Sequence, residues 1–167
     1  HGKSDVLIGK REPITHQSSF TKNPKKFVMV PAHARVALKS LNEKQEEIKA
    51  EIENTPFNSQ EIGDKTGVIT AGISYLYVKE TKEKYRLLFS LLKVTSYPVP
   101  EKQIYDFIKD KSSIIIFEEG DPLIEEAIYI IAQKNGLNLL IKGKLDGCLS
   151  KEGEHSLETV EKTLLPP

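Results

Sequence analysis

The sequence predicts a three-layer α/β/α domain with a mainly parallel sheet, preceded by a long helix. Short apolar runs alternate with segments whose apolar residues recur at helical spacing, and this order is typical of parallel strands joined by right-handed crossovers. The runs are rich in β-branched residues and nearly continuous, as expected of strands that helices cover on both faces. We predict the strands at residues 67–70, 87–94, 113–117 and 137–141.

The part before the sheet divides into a linker and a helix. Residues 1–31 are polar, apart from a short apolar run at 27–30 that would pack as an edge, and they predict an extended interdomain linker. Residues 32–55 predict a connecting helix with one narrow apolar stripe, which ends before Pro56. A polar loop is expected over residues 58–65, and the α/β domain over 64–167.

Helices are expected after each of the first three strands and again at the end of the chain. The third has the clearest signals, because Asp121 is a suitable N-cap and Pro122 a suitable first residue. Glu125 in its first turn is favoured by the helix dipole. Gly136 is expected to end this helix in a left-handed conformation.

Composition excludes several classes of function. The 167 residues contain 24 basic and 24 acidic side chains, so no overall charge favours nucleic acid. A basic cluster at Lys22, Lys25 and Lys26 has no interleaved aromatic residues. No apolar run has the ~20 residues that cross a membrane, and the polar first residues do not resemble a secretory signal. The chain has one cysteine, Cys148, and we expect a reduced thiol in a cytoplasmic protein.

Common ligand motifs of α/β proteins are missing from the carboxyl ends of the strands, where ligands of such sheets bind. The stretch from Gly67 to Ser74 has two glycines but not the G-x-G-x-x-G spacing of a dinucleotide site. No Gly-Lys-Ser/Thr sequence provides a phosphate loop. Residues 72–76 lack the second glycine of a nucleophile elbow.

Polar residues at these strand ends allow two interpretations. Glu118, Glu119 and Asp121 form an acidic cluster that could perform acid–base chemistry, although capping of a helix explains the same residues. Tyr97 and Pro98 form either a rigid surface for a neighbouring domain or the turn into the next helix.

Two histidines are candidate catalytic groups. His155 follows Cys148 by seven residues, but the segment is Gly-rich and polar without signs of burial, which disfavours a thiol nucleophile. His33 lies at the start of the long helix with no acid nearby to orient it. Arg35 beside it is unfavourable for the helix dipole, so we expect its partner to be an interdomain carboxylate.

Several motifs together resemble the alpha subunits of indolepyruvate:ferredoxin oxidoreductases, in the 2-oxoacid:ferredoxin oxidoreductase family. The similarity follows nearly the whole chain in order. The motifs are Val28-Met29-Val30-Pro31-Ala32-His33-Ala34-Arg35, Gly67-Val68-Ile69-Thr70-Ala71-Gly72-Ile73-Ser74-Tyr75, Tyr97-Pro98-Val99-Pro100, Glu118-Glu119 with Asp121-Pro122, and Gly143-Lys144 with Asp146-Gly147.

The resemblance implies one domain, the transketolase C-terminal-like domain, of a larger subunit. The parent enzyme would use thiamine diphosphate, Mg²⁺ and iron–sulfur clusters to decarboxylate aryl pyruvates oxidatively, giving aryl-acetyl-CoA and reduced ferredoxin. Its partners would be the other domains of the subunit, a second (beta) subunit, ferredoxin and coenzyme A.

The sequence departs from what the whole enzyme would need. It has no G-D-G motif for a metal-bound diphosphate and no series of cysteines. We therefore expect no catalytic, cofactor-binding or metal-binding residue here, and an inactive isolated segment. The candidate interdomain contacts are His33, Arg35, Tyr97, Pro98, Glu119 and Asp121.

Two other functions stay open at this point. One is a stand-alone flavodoxin-like module that binds a small ligand or a protein. The other is a hydrolase that uses Glu118 or Asp121, which turnover by the isolated chain would reveal.

Overall fold

The computed structural model describes residues 7–13 and 15–165. The chain divides into two units with the boundary between Leu41 and Asn42, and each unit is described by itself. Residues 1–6 of the predicted linker lie outside the described residues.

The first unit contains a short helix α1, Pro24–Phe27, and the beginning of the long helix α2, Pro31–Glu53. The side chain of Asn23 caps α1 by accepting a hydrogen bond from the backbone N–H of Lys26 at 3.2 Å. The apolar run predicted at residues 27–30 therefore begins as a helix end and forms no strand. Its side chains are exposed, with Phe27 at 63% and Met29 at 61%.

Within the described residues of the second unit, one five-stranded sheet has the order β1-β3-β2-β4-β5. The pairs β2–β3, β2–β4 and β4–β5 are parallel, while β1 is antiparallel to β3. The strands are β1 Ser59–Glu61, β2 Thr66–Ala71, β3 Ser90–Val94, β4 Ser113–Phe117 and β5 Leu140–Lys142. The predicted mainly parallel sheet is confirmed.

Helices cover both faces of this sheet. On one face, α4 and α5 bury Ile104 and Ile128 against Ile69 of β2. On the other face, α3 and α6 bury Val78 and Val160 with Val68 of β2. The helices are α3 Ser74–Lys84, α4 Glu101–Ile108, α5 Leu123–Lys134 and α6 Leu157–Leu164. The three-layer α/β/α architecture is therefore confirmed, as is the long helix that precedes it.

Three details of the strands differ from the prediction. Strand β5 begins at Leu140 instead of residue 137. The segment expected to be a polar loop contains β1, whose three residues Ser59–Glu61 are all exposed because the strand lies at the sheet edge. Strand β3 begins at Ser90 instead of residue 87. The apolar residues before it close α3, since the backbone N–H of Leu87 donates to the carbonyl of Lys82 at 3.0 Å.

The start of α5 also differs. Asp121 is not its cap, because the carboxylate of Glu118 accepts hydrogen bonds from the backbone N–H groups of Ile124 at 2.9 Å and Glu125 at 2.8 Å. Gly136 has φ of +64° at the other end, so the predicted left-handed termination is confirmed. Among the described helices, none has the length and apolar character required to span a membrane.

Candidate functional site

The carboxyl-edge cleft lies where the connections of the sheet change direction. Strand β2 leads to β3 on one side, and its neighbour β4 leads to β5 on the other, so a crevice opens between their carboxyl ends. The cavity there has a volume of about 440 Å³. Its apolar lining is Ala71, Val94, Val99, Leu123 and Ile124, and its other lining residues are Gly72, Thr95, Ser96, Tyr97, Glu118, Glu119 and Asp121.

Three of the six predicted interdomain residues line this cleft. They are Tyr97, Glu119 and Asp121, and Pro98 follows Tyr97 through a cis peptide bond. His33 and Arg35 belong to the first unit. There the Nδ1 atom of His33 lies 3.0 Å from the carbonyl oxygen of Val28, a local hydrogen bond near the start of α2. The interdomain role of all six stays a prediction.

Glu118 is the innermost carboxylate of the cleft and is only 5% exposed. Burial raises its pKa, although the two backbone N–H groups of α5 and the charge of Lys144 act in the opposite direction. Both carboxylate oxygens accept helix N–H bonds, so the group holds α5 against the end of β4. This geometry matches the capping interpretation of the acidic cluster, with Glu118 in place of Asp121.

Glu119 is linked to a buried histidine. Its Oε1 atom accepts a hydrogen bond from the backbone N–H of His155 at 2.9 Å. The Nδ1 atom of His155 lies 2.8 Å from Oγ of Ser74, and the His155 ring meets Phe117 edge-on. Burial, followed by the charge of Lys144, lowers the pKa of His155.

The expectation that His155 is exposed was wrong, since only 8% of the residue is accessible. Ser74 is completely buried, so its hydroxyl cannot reach a substrate despite the histidine beside it. Cys148 is exposed, as expected, and partial burial and the charge of Asp146 raise the pKa of its thiol. A raised pKa keeps the thiol protonated and weakly nucleophilic.

Glu125 organises the loop after β5 and was missed by sequence reasoning. It is completely buried, and its carboxylate accepts backbone N–H bonds from Lys144 at 2.7 Å and Leu145 at 3.2 Å. A Cβ atom on Gly143 would lie 2.5 Å from Oε2 of Glu125, so the loop needs glycine at this position. The sequence indicated only an acidic residue in a first helical turn.

Asp121 differs from the other carboxylates of the cleft. It is exposed, and among the described residues no group donates a hydrogen bond to its side chain. Only its backbone carbonyl is used, as the acceptor for the N–H of Leu123 at 2.8 Å. Asp121 is therefore the carboxylate at the cleft with both oxygens available to another molecule.

The residues present do not fit the metal groups that the resemblance implies. Over residues 7–13 and 15–165, no three His, Cys, Asp or Glu side chains are grouped to hold a metal ion. The chain's one cysteine cannot supply the thiolate set of an iron–sulfur cluster.

No family model matches the chain. Among curated proteins, indolepyruvate oxidoreductase subunit IorA of Thermococcus kodakarensis is 37% identical over 153 residues, which are 86% of this chain and 24% of that protein. The subunit IorA of Methanothermobacter marburgensis is 29% identical over 168 residues, covering 98% of this chain and 27% of that protein. The chain thus spans about a quarter of the length of the curated relatives it matches.

Two solved structures are similar to part of this chain. One is a split-gene transketolase described as an inactive beta4 tetramer, with TM-score 0.47 and 11% identity over 63% of this chain and 39% of the other. The second is a 2-oxoglutarate:ferredoxin oxidoreductase from Magnetococcus marinus, with TM-score 0.47 and 15% identity over 68% of this chain and 20% of the other.

Proposed function

Because the chain is related along almost its whole length to one segment of the IorA subunits of indolepyruvate oxidoreductases, we propose that it is a non-catalytic interdomain segment of such a subunit. The observation that carries this proposal is the alignment over 98% of this chain and 27% of a relative. A segment with this coverage corresponds to one part of a larger polypeptide, and the remaining parts would supply the chemistry.

The use of the carboxylates supports a structural role. Glu118 caps α5, Glu125 holds the loop after β5, and Glu119 binds the backbone of His155. Acid–base catalysis needs a carboxyl group that can exchange protons with a substrate. Two of these three groups are buried and bonded to backbone N–H groups, so they position elements of the fold.

The parent reaction would be the oxidative decarboxylation of aryl pyruvates to aryl-acetyl-CoA with reduction of ferredoxin. Thiamine diphosphate, Mg²⁺ and iron–sulfur clusters would bind outside this segment, and the enzyme would work in the cytoplasm. The segment would contact other domains of the subunit and a second subunit through the carboxyl-edge cleft and through the exposed apolar residues of the first unit, which include Phe27 and Met29.

The proposal is tested by comparing the chain with a longer polypeptide that contains it. The longer polypeptide, produced with its second subunit, should reduce methyl viologen in the presence of indolepyruvate and coenzyme A. The isolated 167-residue chain should show neither this activity nor saturable heat on titration with thiamine diphosphate and Mg²⁺. Saturable binding by the isolated chain would contradict the proposal that thiamine diphosphate and Mg²⁺ bind outside this segment.

A second experiment distinguishes the interdomain role from the alternative, a stand-alone flavodoxin-like module. Deletion of this segment from the longer polypeptide should abolish viologen reduction. Full activity after the deletion would show that the enzyme does not need this segment, and it would contradict the proposed interdomain role.

A further inference from the structure

We propose that the carboxyl-edge cleft receives an arginine or lysine side chain that a neighbouring polypeptide segment presents beside an apolar residue. This inference rests on the proposed interdomain function and specifies the chemistry of the contact. The carboxylates of the cleft would bind the cation, and the cleft walls would bury the apolar neighbour.

The walls of the cleft are suited to an apolar side chain. Ala71, Val94 and Ile124 line the interior, so a side chain placed there loses contact with water and gains burial energy. Large apolar residues continue onto the surface at the mouth, where Tyr97 is 76% exposed and Leu123 is 52% exposed. An exposed apolar mouth is more typical of a surface for a polypeptide than of an enclosed small-molecule site.

The charges of the cleft are all of one sign. Glu118, Glu119 and Asp121 line it, and among the described residues no basic side chain does. The nearby Lys144 is buried at 3% exposure, and its ammonium group donates to the carbonyl oxygen of Gly120 at 2.5 Å. The cleft therefore has excess negative charge that a cation from another segment would balance.

The geometry leaves acceptor oxygens available at the mouth. The side chain of Asp121 accepts no hydrogen bond from the described part of the chain. The backbone N–H of His155 donates to Oε1 of Glu119, so the Oε2 atom of Glu119 is not used by this bond. A guanidinium group has several donors in a planar fork, so it can bind two neighbouring carboxylates at once. The buried Glu118 would also gain from a cation, because burial has made its charged form unfavourable.

The test uses the complete 167-residue chain and two short peptides as probes. The first probe is N-acetyl-Leu-Arg-Leu-amide, and the matched control probe is N-acetyl-Leu-Gln-Leu-amide. In ¹⁵N-labelled chain at low ionic strength, the arginine peptide should shift the amide resonances of Gly72, Ser96 and Gly120. The shifts should weaken as salt is added, because the contact is partly exposed.

Substitutions locate the binding site. The double variant E119Q/D121N should raise the dissociation constant of the arginine peptide about fivefold, since each exposed charge contributes roughly 0.5 kcal/mol. The control E47Q/E51Q removes the same charge from exposed positions of α2 outside the cleft, and it should leave the constant unchanged. D121N alone serves as a second variant, because its side chain is exposed and its loss leaves the fold intact.

Three results would overturn the inference. Equal affinity for the glutamine peptide would show that no cation is recognised. Shifts confined to residues outside the cleft would place the contact elsewhere. Binding of agmatine as tight as that of the arginine peptide would indicate a site for small amines instead of a polypeptide. None of these results would affect the viologen-reduction test, so the two proposals fail separately.

Discussion

The carboxylate of Glu53, in the last turn of the long helix α2, accepts hydrogen bonds from the backbone N–H groups of Lys102 at 2.8 Å and Gln103 at 3.0 Å. Helix α4 has Pro100 at its N-cap position, and no side chain at that position caps it. Glu53 thus supplies the missing cap from a position 49 residues earlier in the sequence. The end of α2 is thereby fixed to the start of α4 within the second unit.

Glu53→Ala should destabilise the chain by about 1 kcal/mol, because two N–H groups in the first turn of α4 lose their acceptor. Urea unfolding followed by circular dichroism measures this loss. Glu51→Ala is the matched control, since Glu51 is exposed on the same helix and should change stability much less. Equal effects of the two substitutions would show that the contact with α4 contributes nothing.

Glu118→Gln should change how stability depends on pH. Burial raises the pKa of Glu118 above the ordinary value of 4.5, so the folded state binds this proton more strongly than the unfolded state. Stability from this group is therefore present below pH 4.5 and is lost as pH rises through the folded pKa. The stability of the wild type minus that of the variant should fall over this range, as urea unfolding at a series of pH values would measure. A difference that rises with pH would contradict the prediction.

His155→Asn should also change how stability depends on pH, but with the opposite sign to Glu118→Gln. The folded state lowers the pKa of His155 below 6.5, so the unfolded chain takes up the proton first as pH falls. Stability from this group is present above pH 6.5 and is lost as pH falls through the folded pKa. Asparagine does not titrate, and its amide can occupy the position of Nδ1 opposite Ser74. The wild type should lose more stability than the variant on acidification from pH 7, and parallel curves would refute this account.

Gly143→Ala should destabilise the chain by roughly 1–3 kcal/mol, because the new Cβ atom would overlap the buried carboxylate of Glu125. Thermal unfolding measures the change. Gly9→Ala is the control, since a Cβ atom there would have no neighbour within 4 Å. If both substitutions lowered the melting temperature equally, the close contact with Glu125 would not be the cause.

Arg35→Ala should weaken the assembled subunit and leave the isolated chain nearly unchanged. Arg35 is exposed, and no ion pair joins it to another described residue. Melting temperatures of the isolated chain and of the longer polypeptide, each with and without the substitution, make the comparison. A large drop in the isolated chain would reject an interdomain partner for Arg35.

The architecture could be predicted because the amino-acid sequences of the parallel strands are recognisable by themselves. Runs such as Ser113–Phe117 are apolar on both faces, and they alternate with helical segments. Strand β1 carries no such signal, since Ser59–Glu61 is short, polar and exposed, and only its pairing with β3 makes it a strand. The prediction for the start of α5 was wrong because Asp121 has the residue type of a local cap. The N–H groups of α5 are instead bound by Glu118, the first residue after β4.

The location of the site could be predicted from the topology of the sheet. Which of its polar groups are buried could not be predicted in this way. Tyr97 follows β3, and Glu119 and Asp121 follow β4; both strands are parallel to β2, which lies between them. A sequence-based parallel topology therefore already brings these residues to one edge of the sheet. The burial of Glu125 and His155 depends on how the loops after β5 fold back over the sheet. No local pattern distinguishes such residues from exposed ones of the same type.

The antiparallel strand β1 has a consequence for the chain's behaviour as a separate molecule. It covers the outer edge of β3 with three polar residues, and Glu61 pairs there with Lys82 at 2.8 Å. A charged, short border of this kind discourages addition of a foreign strand. At the opposite border, β5 exposes 56% of Leu140. Unwanted polymerisation by strand addition would therefore start at the β5 side, and a lysine in place of Leu140 is the change that would block it.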